Sequence, residues 1–148
     1  MIEFAAHEVM ASRELLAMSV RDALAAAGLP VVSPHMSPQL IHGGAEVRAD
    51  KLADCHAPVR IDWHPHHELT EAAMKAGVDT PAFIHLMIVL EGMLRVMKEI
   101  LSAEGFEARD STNDLGPFGI EVLGRLDRTS GWTTSSLISS IDFQGPTS

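Results

Sequence analysis

The stretch that decides the fold runs Ala45-Glu46-Val47-Arg48-Ala49-Asp50, and nine residues later Val59-Arg60-Ile61-Asp62-Trp63. Apolar and charged residues alternate with a period of two in both segments, the signature of strands with one face on a core and the other in water. Only eight residues, Lys51 to Ala57 and then Pro58, separate the alternating runs, so an antiparallel hairpin is the simplest connection. Opposite charges on the outward face allow cross-strand pairing.

Before this hairpin the period is 3.6. From about Phe4 to Ala27, Leu16, Val20 and Leu24 form one stripe, with Glu8, Ser12, Arg13, Arg21 and Asp22 away from it. Gly28 and Pro30 stop that helix. Val31 to Ser33 reads as a short extended piece leading through Pro34, Pro38, Gly43 and Gly44, together a loop or a broken edge strand, and Gly43-Gly44 reads as a turn, since no helix or lysine of a phosphate loop follows it.

After the hairpin the spacing predicts a short helix from His67 to Ala76, stopped by Gly77, and a long one from Pro81 to Glu104, stopped by Gly105. Thr80 before Pro81 is an N-cap and first-turn pair. The first half of the long helix, Ala82 to Leu90, is apolar all round except for His85, which predicts burial on every side. The covering is either the domain's own core, making this a central core helix, or a second subunit, in which case Phe83, Ile84, Met87 and Ile88 are the interface candidates. Met74, Met87, Met93 and Met97 suit an adaptable surface as well as core filler. Past Gly105, Phe118, Ile120, Val122 and Leu126 share one parity, and Trp132 to Phe143 reads as a return strand before a loose tail, 144–148. The expected order is α, β, β, β, α, α, β, β, β. That is a single α+β domain over residues 1–148, a largely antiparallel sheet of about five to six strands packed against an N-terminal and a long central helix.

Composition narrows the function. The chain has 148 residues, 46% of them hydrophobic, and a formal charge of -9. That is enough for one core, and too acidic with too scattered a set of bases for nucleic acid. One cysteine, Cys55, excludes an internal disulfide and suggests a reducing setting. An acidic start and short apolar runs predict no export signal and no membrane span, hence a cytoplasmic protein.

The densest cluster of chemistry is Trp63-His64-Pro65-His66-His67-Glu68. In an extended chain His64 and His66 share a side, and His67 and Glu71 lie one helical turn apart. With His56 or Cys55 added, a zinc or nickel site using His64, His66, His67 and Glu71 can be drawn. The plainer reading is a polar loop whose histidines cap the helix or meet solvent. Asp110, Asp114 and Glu121 have the spacing of a calcium loop, but Leu115 stands where glycine is needed and a strand follows. Ser135, Ser136, Ser139 and Ser140 lie in a strand pattern without a nucleophile elbow. Cys55 beside His56 lacks a third orienting group, and His85 reads as a core or interface residue.

The N-terminal helix ending at Gly28, the strand pair within 45–63, and Leu101-Ser-Ala-Glu-Gly105-Phe-Glu-Ala-Arg-Asp110 leading into an acidic turn resemble tail-terminator proteins of long-tailed bacteriophages. The resemblance implies a homo-hexameric ring at the end of a tail tube, a virion-associated structural protein without a cofactor, working through its surfaces. The doubled central helix and the Ser/Thr strand after Trp132 depart from that pattern. The expectation is a non-enzymatic assembly protein that forms a homo-oligomer. The alternatives are a small metal-binding protein or hydrolase at the His64–His67 cluster, holding zinc, and a small-molecule or regulatory binding module.

Overall fold

The structure is a computed structural model of the chain and describes residues 3–32, 42–55, 57–111 and 119–126. Helix α1 spans His7–Ala26, strands β1 and β2 span Gly44–Ala49 and Val59–His64, helices α2 and α3 span His67–Ala76 and Pro81–Ala103, and strands β3 and β4 span Phe106–Asp110 and Ile120–Arg125. The four strands form one antiparallel sheet in the order β1-β2-β4-β3. The α+β class is therefore as expected, but with four strands among the described residues instead of five or six. The return strand expected after Trp132, its serines and the tail lie outside the described residues. Val31, the possible edge strand, makes only a single parallel bridge to Ala45.

The hairpin has the register that its alternation demands: Ala45 opposite Trp63, Val47 opposite Ile61, Ala49 opposite Val59. Val47, Val59, Ile61, Ile120 and Val122 turn to one face and are buried by Val20 and Leu24 of α1 and by Leu94, Met97 and Leu101 of α3. On the other face this register sets like against like, Glu46 opposite Asp62 and Arg48 opposite Arg60. Directly opposed like charges repel. A diagonal contact and two along the strands resolve the conflict: Arg48 reaches across to Asp62 at 2.6 Å and along β1 to Glu46 at 3.6 Å, and Arg60 reaches along β2 to Asp62 at 3.5 Å. Further along, Arg109 pairs at 3.0 Å with Glu121, which is 3% exposed.

Two apolar expectations fail for identifiable reasons. A register shift at Glu107/Ala108 breaks the parity of β4, so Leu126 is 73% exposed, while Arg125 lies over the Phe106 ring at 4.8 Å. Arg13, read as off the stripe of α1, is on it: the buried residues are Arg13, Ala17, Val20 and Leu24. Its guanidinium donates to the carbonyls of Asp50 and Leu52 at 2.6 and 2.7 Å. A buried charge with two acceptors behaves as a core residue with a polar end.

The outer edge of β1 is covered at several points. Ala45 exchanges backbone hydrogen bonds with Pro30 and Val32, Arg21 donates to the Val47 carbonyl at 2.7 Å, and Arg13 covers the strand's exit. Past the strand, the residues before α1 hold the chain leaving it, with Ala5 N–H donating to Lys51 O and Ala53 N–H to Glu3 O. Edge strands left open invite pairing with other chains.

Candidate functional site

Two features stand out, one at the β2–α2 junction and one on α3. Pro65 holds His64 extended at the end of β2, and His66 then serves as the N-cap of α2, its Nδ1 accepting from Glu68 N–H at 3.1 Å. The expectation that these histidines cap the helix is met by His66. His42 comes from the other side. Gly43, at φ 107°, carries the chain into β1 with its α-carbon against the His64–His66 backbone, an ideal Cβ there lying 3.7 Å from His64 O. That conformation favours glycine.

As a result the His42 and His66 rings face each other, with His42 Nδ1 3.1 Å from His66 Nε2. His67, on the first turn of α2, stacks on His66 at 4.5 Å between ring centroids and lies 5.9 Å from the His42 ring. One ring nitrogen from each of His42, His66 and His67 lies within 4.8 Å of the others. The candidate set drawn from sequence is thus half assembled. His66 and His67 converge, but His64 does not join them: its Nε2 meets Glu46 Oε1 at 3.2 Å among the charges on the open face of the sheet. Glu71 is exposed further along α2 and is not part of the cluster, Cys55 is half-buried elsewhere, and His56 lies outside the described residues. His42 was missed, although a signal for it exists. Paired residue numbers in the hairpin sum to 108, and carrying that register two steps past Gly44 and His64 sets His42 opposite His66.

On α3, Thr80 Oγ1 accepts from Phe83 N–H at 3.3 Å, the expected cap. The expected burial of Ala82 to Leu90 on every side does not occur. Leu86 is buried, Phe83 and Met87 are half-buried, and Ile84 and Ile88 are 52% and 60% exposed. His85 is exposed as well, not a core residue. The reason is placement: the second half of α3 lies on the sheet, whereas Leu86 and its α2 neighbour Ala73 sit outside the main core. Of the interface candidates, Ile84 and Ile88 are available to a partner.

Of the calcium-like spacing, only Asp110 and Glu121 are among the described residues, and both are paired. Asp110 pairs with Lys98 at 3.1 Å, Glu121 is committed to Arg109, and residues 112–118 between them lie outside the described residues. An open groove of about 500 Å³ between α3 and β3 is lined by Lys98, Glu99, Ser102, Ala108, Arg109 and Asp110. Four of its six lining residues carry charge, and the groove is open to solvent, whereas small-molecule pockets enclose most of their ligand. No helix among the described residues is long and apolar enough to cross a membrane. Comparison with protein-family models, with curated proteins and with solved structures finds no match.

Proposed function

We propose that the protein is a non-enzymatic assembly protein whose copies meet through the first half of α3. The observation that carries this reading is the exposure of Ile84 and Ile88, one turn apart on a helical segment with no charged residue from Pro81 to Leu90. A second copy is a suitable cover. Laid antiparallel across α3 at the level of Leu86, it sets Ile84 of each copy against Ile88 of the other. It also brings Glu91 near the other helix's N-terminus, where the dipole favours an anion. Burying what is left exposed of four isoleucines contributes about 4 kcal/mol, taking about 2 kcal/mol for a fully buried side chain. That is a useful part of a self-association free energy, though not all of it.

Native mass spectrometry of the purified chain tests the reading. An oligomer is expected, and Ile84→Glu with Ile88→Glu should convert it to monomer without changing the far-UV circular dichroism. Six subunits would need a second interface and would favour the tail-terminator reading, with the ring working through its surfaces and without a cofactor. A wild-type monomer, or an oligomer that survives both substitutions, refutes assembly through α3.

A further inference from the structure

We propose that His42, His66 and His67 form a binding site for one divalent first-row transition ion of the zinc class, clipping the entry of β1 to the first turn of α2. Imidazole nitrogen suits zinc, copper and nickel, and three such donors with an open fourth position are a recognised zinc arrangement. At a zinc–nitrogen distance of about 2.0–2.1 Å, tetrahedral ligand atoms lie about 3.3 Å apart. His42 Nδ1 and His66 Nε2, at 3.1 Å, are already at that edge length. One nitrogen of each of the three rings lies within 4.8 Å of the others, so closure asks for the His67 ring to move in and for the His42 and His66 rings to turn from each other toward the ion. Three elements converge here for separate reasons: the Gly43 turn brings His42, the N-cap position orients His66, and the helix start sets His67 beside it.

The hydrogen bonds state what the metal displaces. His66 Nδ1 accepts from Glu68 N–H, so in the neutral ring the proton is on Nε2, where it is donated to His42 Nδ1. An ion between the two rings takes the place of that proton. Ligation through Nε2 requires the remaining ring proton to be on Nδ1, where it meets Glu68 N–H head-on and cannot coexist with the cap. Metal binding therefore exchanges the N-cap bond of α2 for a metal–nitrogen bond, and the ion is coupled to the order of that first turn. Most histidine ligands donate their second nitrogen to a carbonyl or carboxylate. Here the second nitrogen faces a donor, which makes the site weaker than a structural zinc centre and its occupancy dependent on zinc supply.

The test uses the full chain without a histidine tag, stripped with chelator and titrated with zinc by calorimetry and with cobalt by visible absorption. One ion per chain is expected, with the Glu68 amide shifting and losing exchange protection as zinc is added. His42→Ala should lower affinity by more than the roughly 10- to 100-fold that loss of an outer-sphere partner costs. His66→Asn should do the same while leaving stability near that of the wild type, because asparagine still caps the helix. His64→Ala should leave binding unchanged. No binding by the wild type, or binding that His42→Ala and His66→Asn both leave intact, overturns the site.

Discussion

Replacing Arg13 by methionine keeps most of the apolar stem and removes only the guanidinium, which isolates the polar clip between α1 and the exit of β1. Two charge-assisted hydrogen bonds are lost, at 2.6 and 2.7 Å to the carbonyls of Asp50 and Leu52. Hydrogen bonds to charged groups contribute about 1.5–3 kcal/mol each. Both carbonyls are at the end of a hairpin and recover part of their hydration, so the low end applies and the sum is about 3 kcal/mol. For a domain near 150 residues, at about 2–4 °C per kcal/mol, the melting temperature should fall by roughly 10 °C. Urea unfolding followed by circular dichroism gives the free energy directly, and Arg13→Ala should cost more because the buried stem goes too. An Arg13→Met protein within about 0.5 kcal/mol of wild type, the usual effect of a surface substitution, would refute the reading of Arg13 as a core residue.

Gly44→Ala should be destabilising by about 1–3 kcal/mol, the range for overpacking, since its Cβ would lie 2.7 Å from Val32 Cγ1 and 3.0 Å from Pro30 O. Because the obstruction is partly backbone, the loss should appear as faster amide exchange at Val32 and Ala45, and unchanged protection there would argue against it. Thr80→Ala removes the cap of α3 and should cost about 1 kcal/mol in denaturant unfolding, with Thr80→Ser recovering most of it. A Thr80→Ala protein as stable as the wild type would show that the hydroxyl's bond to Phe83 N–H carries no net weight.

Much of the architecture was legible in strings where one period dominates. The hairpin at 45–63 and both later helices followed from alternation, Gly stops and the Thr80-Pro81 cap, with ends within a residue or two of those observed. What escaped depends on long-range register. Arg13 reads as surface because arginine is charged, and only the carbonyls of Asp50 and Leu52, far along the chain, make its burial possible. Leu126 reads as core by parity until the irregularity at Glu107/Ala108 shifts the register. His64 and His66 look like a pair in an extended chain, yet the helix begins at His67, so His66 turns toward the helix cap while His64 stays with Glu46. Helical periodicity marks Ala82 to Leu90 as apolar but cannot tell whether the cover is the same chain or another.

The covering of the β1 edge bears on whether another chain can pair with this sheet. Addition of a foreign strand needs a row of unspent N–H and C=O groups, and here Pro30 and Val32 have used both groups of Ala45, Arg21 the carbonyl of Val47, and Arg13 the carbonyl of Asp50 just past the strand. Fibre-like growth by sheet extension is thereby hindered at these positions. Any chain that meets the sheet there must do so through side chains, whose fit is more selective than that of a bare backbone edge.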